Sequence, residues 1–77
     1  MKTLDEFVQL FAEQFDDTEL SMFAPDTEFR SLDEWSSLIS LSVIAMVDEE
    51  FEVALKGADM RSANTIEDLY NIVISKL

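Results

Sequence analysis

The residue with the clearest chemical potential is Ser37, which opens the strongly patterned segment 37–51. This segment predicts a helix with an apolar stripe, an acidic C-terminal end and a hydroxyl at its N-terminus. A hydroxyl in that position has two possible uses. It can cap the helix, or it can carry a phosphate-linked group, because the first turn offers free N–H groups and the positive end of the helix dipole.

Other catalytic chemistry is poorly supplied. The 77 residues contain no histidine and no cysteine, so the commonest general base, the commonest metal ligand, disulfides and thiolate metal sites are excluded. The carboxylates, serines, lysines and tyrosine form no recognisable catalytic cluster, and we identify no metal ligands. The composition therefore favours a binding or carrier module, not an enzyme.

The charge balance restricts the partners. There are 17 acidic and 5 basic residues, giving a formal net charge of -12. Nucleic acids and anionic lipid surfaces should be repelled, whereas proteins with basic patches should be attracted.

The first residues do not resemble a signal peptide, and the longest nearly apolar stretch, residues 38–47, is too short to span a bilayer. We expect a cytoplasmic monomer that binds neither nucleic acid nor membrane.

The elements that must position Ser37 begin with an amphipathic N-terminal segment. A T-x-x-E capping box starts it, and apolar residues follow at helical spacing. We predict a helix over residues 3–15. Its apolar face comprises Leu4, Phe7, Val8, Phe11 and Phe15.

Residues 16–36 break this pattern with aspartate, serine and proline. We predict an ordered loop, with a short turn of helix near residues 18–23. Scattered apolar side chains should pin the loop onto the core, because a long loop is uncommon in a small domain unless it is functional. These side chains are Leu20, Met22, Phe23, Phe29, Leu32 and Trp35.

The second helix is predicted over residues 37–51, with Val43, Ile44, Val47 and Phe51 as its inward stripe. A neighbouring face, which contains Leu38, Leu41 and Ala45, is expected to stay partly exposed. Four acidic residues crowd the C-terminal end, where the helix dipole disfavours anions. Such a cluster indicates either docking to a basic partner or a solvent-screened surface; it consists of Asp48, Glu49, Glu50 and Glu52.

The remainder predicts a short and a longer helix. Lys56 and Gly57 close the acidic region, and residues 58–63 can hold one helical turn. A T-x-x-D capping box at Thr65 then opens a last helix, whose stripe comprises Ile66, Leu69, Tyr70, Val73 and Leu77. The layout is a single all-α domain over residues 1–77, a small four-helix bundle of three longer helices and one short helix.

Three features together resemble the acyl carrier protein family over essentially the whole chain. They are the Ser37–Leu38 pair that opens the second helix, the run of residues 43–51 into the acidic end, and the late segment 65–69, Thr-Ile-Glu-Asp-Leu. The resemblance implies an acyl-carrier-protein-like bundle without catalytic activity. It also implies a covalent 4′-phosphopantetheine arm on Ser37, with Ser36 as the fallback site.

The resemblance further implies what the arm does and which proteins it meets. A phosphopantetheinyl transferase loads the serine. Acyl intermediates are then held as thioesters and presented to fatty-acid or polyketide-type biosynthetic enzymes with basic docking patches. The residues that would face these partners are Leu38, Leu41, Ala45, Asp48 and Glu49. For Leu41 and Ala45 the alternative is a place in the ordinary core.

The sequence departs from the family pattern at two positions. Ser36 replaces the aspartate that precedes the modified serine, and Ser42 replaces a glutamate that many members use for docking. Ser36 can cap the helix in place of the aspartate. The lost aspartate leaves open an alternative, an acidic helical interaction module without an arm. A nucleic-acid mimic is a third possibility, supported by charge alone.

Overall fold

The computed structural model describes residues 2–77. It contains four α-helices: α1 (Leu4–Ala12), α2 (Ser37–Phe51), α3 (Gly57–Ser62) and α4 (Ile66–Ser75). Two short 3₁₀ helices, Leu20–Met22 and Phe29–Ser31, lie in the connection between α1 and α2. No β-strand forms within the described residues. The predicted all-α bundle of three longer helices and one short helix is confirmed.

Both predicted capping boxes are present. Thr3 Oγ1 accepts a hydrogen bond from the Glu6 N–H at 3.2 Å, and Glu6 Oε1 accepts one from the Thr3 N–H at 3.0 Å. Thr65 and Asp68 repeat this exchange at the start of α4, at 3.1 and 3.0 Å. The N–H donors lower the pKa values of the Glu6 and Asp68 carboxyls. Local sequence therefore determines where α1 and α4 begin.

The end of α1 differs from the prediction. The helix stops at Ala12, three residues before the predicted boundary. The N–H groups of Gln14 and Phe15 bond the carbonyls three residues earlier, both at 3.1 Å, so the backbone tightens into a 3₁₀-like turn. Phe15 remains buried, so the predicted apolar face reaches the core although its last residue is not helical.

An aromatic group forms the centre of the core. Phe7, Phe11 and Phe29 are completely buried, and the ring of Phe7 meets that of Phe51 edge-on, with centroids 5.6 Å apart. Tilted and edge-to-face contacts of this kind stabilise aromatic clusters. Around them, α1 packs against α4 and α2, and α3 packs against α4.

The apolar stripe of α2 is largely as predicted. Val43, Val47 and Phe51 are buried, whereas Ile44 is only partly buried against the core. Met46 is also buried, although the predicted stripe did not include it. The helix therefore turns a wider face to the interior than the four predicted positions.

The apolar stripe of α4 is confirmed except at its end. Ile66, Leu69 and Val73 are completely buried, and the partly buried Tyr70 donates a hydrogen bond from its hydroxyl to the Lys2 carbonyl at 2.8 Å. The prediction for Leu77 was wrong, because this side chain is 62% exposed. The helix ends two residues earlier, so helical periodicity no longer directs the side chain inward.

The long connection is ordered, but not by all the residues predicted to anchor it. The expected turn is present at Leu20–Met22, and Phe23, Phe29 and Leu32 are buried. The prediction for Leu20 and Met22 was wrong, because they are 75% and 53% exposed. A three-residue 3₁₀ turn distributes its side chains around its axis, and here Phe23, just beyond it, takes the inward position.

Polar contacts attach the connection to α3 and to the start of α4. The Arg30 guanidinium donates to the Met60 carbonyl and to Asn64 Oδ1, each at 2.8 Å. The Ile66 N–H donates to the Thr27 carbonyl at 3.1 Å. These bonds explain why a long loop stays in place in a domain of this size.

The end of α2 has an unusual backbone conformation. Glu52 follows the helix in the left-handed region, with φ 56° and ψ 39°, and its N–H bonds the Asp48 carbonyl at 3.0 Å. Glycine is the usual residue in such a position because it has no Cβ. Gly57 instead begins α3.

Candidate functional site

Two consecutive serines occupy different positions at the start of α2. Ser36 has an extended backbone, and its Oγ accepts a hydrogen bond from the Ile39 N–H at 3.2 Å. Its carbonyl accepts the first helical bond, from the Ser40 N–H, at 2.9 Å. Ser36 is therefore the N-cap, and Ser37 is the first residue of the helix.

The hydroxyl of Ser37 remains free. The residue is exposed, and its Oγ makes no hydrogen bond within residues 2–77. The cap serves Ile39, so the N–H groups of Ser37 and Leu38 stay among the unpaired donors of the first turn. No acidic side chain lies in that turn. An unbonded oxygen thus lies where the helix dipole favours an attached anion.

Trp35 holds the segment in front of this site against the core. Its ring stacks on that of Phe11, with centroids 6.2 Å apart and planes inclined by 3°, and lies 4.9 Å from the ring of Phe29. The prediction that Trp35 packs the loop onto the core is confirmed. The start of α2 is consequently attached to a buried aromatic cluster two residues before Ser37.

Glu34 holds the same segment through hydrogen bonds, and the sequence did not predict this. Its carboxylate accepts hydrogen bonds from the Asp16 N–H at 2.7 Å, the Asp17 N–H at 3.0 Å and Thr18 Oγ1 at 2.7 Å. The Asp16 N–H is the main cause of a lowered pKa at Glu34. No local pattern could reveal this contact, because the partners lie 16 to 18 residues away in the chain.

The predicted partner-facing residues share one exposed face of α2. Leu38 is 72% exposed and Leu41 is 62% exposed, and Ala45, Asp48 and Glu49 are exposed as well. The helical period brings them to the side on which Ser37 lies. With a rise of 1.5 Å per residue, the acidic end begins about 16 Å along the axis from Ser37. The alternative that Leu41 and Ala45 belong to the ordinary core is wrong, because both are exposed.

The face changes character along its length. Near Ser37 it is apolar, and at its far end Asp48, Glu49 and Glu52 form no ion pair within the described residues. Glu50 pairs with Lys2 at 3.5 Å. Within residues 2–77 no group of His, Cys, Asp or Glu side chains is arranged to hold a metal ion, and no helix is long and apolar enough to cross a membrane.

A helical bundle that offers an unbonded serine hydroxyl at a helix N-terminus, beside an exposed apolar and acidic face, has the form of a carrier domain for a phosphate-linked group. The comparison with protein families agrees. The family model described as the phosphopantetheine attachment site matches residues 5–73, and the chain belongs to this family. Searches of curated proteins and of solved structures found no match.

Family membership defines the cofactor and the general role. The cofactor is 4′-phosphopantetheine, attached covalently. A carrier of this kind interacts with the transferase that attaches the group and with biosynthetic enzymes. The residues at the start of α2 fit the cofactor, because an exposed hydroxyl and free N–H groups lie together there.

Proposed function

We propose that this chain is an acyl carrier protein whose 4′-phosphopantetheine is attached to Ser37. The observation that carries the proposal is the division of roles between two serines. Ser36 supplies the helix cap, so the Ser37 hydroxyl is exposed and has no structural bond to lose. A serine at the start of a helix commonly acts as its N-cap. Ser37 does not have this role, because Ser36 already fills it.

The loading step follows from the chemistry of the hydroxyl. Ser37 Oγ forms a new bond to the phosphorus that bears the pantetheine portion of coenzyme A. The bond from that phosphorus to the bridging oxygen breaks, the nucleotide half of coenzyme A leaves, and the serine proton passes to a base of the transferase. The product is an anionic phosphodiester, which the unpaired N–H groups and dipole of the first turn of α2 favour.

When attached, the cofactor supplies a thiol on a flexible arm, which holds acyl intermediates as thioesters. The chain supplies a fixed origin for that arm, because Trp35 and the Ser36 cap hold the start of α2. A tether converts each meeting of acyl group and enzyme into a local event with a raised effective concentration. The chain has no cysteine or histidine, so we propose that it performs no catalysis.

The exposed face of α2 is the proposed docking surface for partner enzymes. Its apolar part, with Leu38, Leu41 and Ala45, lies closest to Ser37, and its acidic part contains Asp48 and Glu49. Acidic residues accelerate association with enzymes that carry basic patches. We propose fatty-acid or polyketide-type biosynthetic enzymes as these partners, and a monomeric carrier in the cytoplasm.

Ser36 remains the fallback attachment site, but its surroundings suit it less. Its Oγ already accepts the Ile39 N–H, so modification would compete with the cap. Ser36 also stands where the resembling proteins carry aspartate, which favours the second candidate, an acidic interaction module that is not phosphopantetheinylated.

Intact-mass measurement separates these possibilities. After incubation with a phosphopantetheinyl transferase and coenzyme A, we expect the unaltered chain and Ser36→Ala to gain one phosphopantetheine, whereas Ser37→Ala gains none. Ser36→Ala is the matched control, since it removes the adjacent hydroxyl. An unaltered chain that stays bare would favour the interaction module, and a loaded Ser37→Ala would move the site to another residue. The mass of protein isolated from its own source would identify any retained acyl group.

A further inference from the structure

Glu34 makes the densest set of side-chain hydrogen bonds near Ser37, and neither the carrier chemistry nor the docking face accounts for it. One carboxylate joins two parts of the chain, the turn that follows α1 and the segment that leads into α2. Both carboxylate oxygens are used: Oε2 accepts the Asp16 N–H, and Oε1 accepts the Asp17 N–H and Thr18 Oγ1. We call this set of three bonds the Glu34 clamp.

The clamp consists of hydrogen bonds and includes no ion pair. The groove beside Glu34 is lined by Asp17, Glu19 and Asp33, and no cationic side chain lines it. These neighbouring carboxylates would repel an additional negative charge. Two backbone N–H groups and a hydroxyl nevertheless point at Glu34, and hydrogen bonds to a carboxylate are short and strong. The carboxylate of Glu34 thus lies among other carboxylates because the turn after α1 supplies its hydrogen-bond donors.

The clamp and Trp35 hold consecutive residues by different kinds of contact, hydrogen bonds for Glu34 and ring packing for Trp35. Trp35 is held by the aromatic core, and Glu34 by the turn after α1. The segment before Ser37 is therefore fixed at two separate points. Removing the clamp leaves the aromatic contact as the main anchor of Trp35 and Ser36 and allows the segment to move.

From this geometry we infer that Glu34 is a positioning residue for the loading of Ser37. The inference rests on the proposed function, since it assumes that Ser37 is the residue loaded. On this inference, the transferase binds the start of α2 in the conformation seen here. A mobile segment adopts that conformation in only a fraction of the molecules. Apparent affinity then falls by the fraction of molecules that are competent, while the rate within the bound complex is unchanged.

The test measures KM and kcat for loading by a phosphopantetheinyl transferase with coenzyme A. Glu34→Gln should raise KM for the carrier by roughly threefold to tenfold, as expected if about a tenth to a third of the molecules stay competent, with kcat unchanged. Thr18→Val removes one hydrogen-bond donor without changing any charge. It should also raise KM, but by less than Glu34→Gln does. The two changes should be less than additive in combination, because they break the same contact.

Asp33→Asn is the matched control. It removes a neighbouring negative charge in the same segment, and Asp33 is exposed and makes no hydrogen bond within residues 2–77. If the clamp is responsible, Asp33→Asn loads with the KM of the unaltered chain. An equal rise in KM for Asp33→Asn and Glu34→Gln, with none for Thr18→Val, would overturn the inference in favour of a simple charge effect.

Hydrogen exchange and site mapping complete the test. The amides of Asp16 and Asp17 should exchange faster in Glu34→Gln, which shows that the clamp has opened in a folded chain. If these amides are released and KM is unchanged, Glu34 has no positioning role, although Ser37 loading stands. If mapping finds the group on another residue of the unaltered chain, the proposed function and this inference both fail.

Discussion

The ring of Trp35 lies parallel to that of Phe11, with centroids 6.2 Å apart and an interplanar angle of 3°. This contact joins the residue two positions before Ser37 to the last turn of α1, 24 residues earlier in the chain. Together with the hydrogen bonds of Glu34, this contact attaches the start of α2 to the core. A carrier needs such an origin, since a mobile arm samples a defined volume only when its base is fixed.

The two serines at the start of α2 should contribute differently to stability. Ser36→Ala removes the cap on the Ile39 N–H, and we expect a loss of about 1 kcal/mol in the free energy of unfolding. Ser37→Ala should change it by less than about 0.5 kcal/mol, because the side chain makes no bond and alanine favours helix. Urea unfolding followed by circular dichroism measures both. Equal losses would mean that Ser37 shares the capping role.

The left-handed residue after α2 offers a route to a more stable chain. Glu52→Gly should raise the free energy of unfolding by about 1 kcal/mol, because glycine adopts a positive φ without a Cβ penalty. The change also removes an anion from the negative end of the helix dipole. Glu52→Gln is the control that removes the charge alone. Thermal unfolding at low and high salt separates the two, since only the charge effect is screened. A destabilised Glu52→Gly would contradict the strain argument.

Replacement of two apolar residues of the long connection should cost very different amounts of stability. Leu20→Ser should alter the free energy of unfolding by no more than about 0.5 kcal/mol, because Leu20 is 75% exposed. Phe23→Ala should cost about 3–5 kcal/mol, because its ring is buried against that of Phe15 with centroids 4.9 Å apart. Chemical denaturation of both variants tests this. A large loss for Leu20→Ser would restore its predicted role as an anchor.

Acid should destabilise the fold through four hydrogen-bonded carboxylates. The pKa values of Glu6, Glu34, Asp59 and Asp68 are all lowered, chiefly because backbone N–H groups donate to the charged forms. A folded pKa below the unfolded value means that the stabilisation is complete above the ordinary values of 4.5 for Glu and 3.8 for Asp. It is lost as pH falls through the lowered folded values.

Urea unfolding between pH 7 and pH 3 measures this dependence. Glu34→Gln should show a shallower decline in stability with falling pH than the unaltered chain, because glutamine does not titrate. Asp33→Asn, which removes an exposed carboxylate without breaking a hydrogen bond in the described chain, is the control. Identical pH profiles for Glu34→Gln and the unaltered chain would show that the clamp does not contribute to acid sensitivity.

Local sequence was sufficient for the features that depend on near neighbours. The bounds of α2, the capping boxes at Thr3 and Thr65, and the helical character of the chain follow from residues three or four positions apart. The buried stripes of α2 and α4 were also largely predicted. Leu77 was predicted wrongly because a periodic pattern does not show where the helix that carries it will end.

Contacts between distant parts of the chain were decided only by the tertiary structure. Leu20, Met22 and Phe23 were all predicted to reach the core, and of these three only Phe23 is buried. Glu34 resembled any exposed acid until folding brought the turn after α1 within hydrogen-bond distance. Hydrophobic periodicity shows which face of one helix is apolar, whereas these outcomes depend on which other part of the chain packs against a given residue.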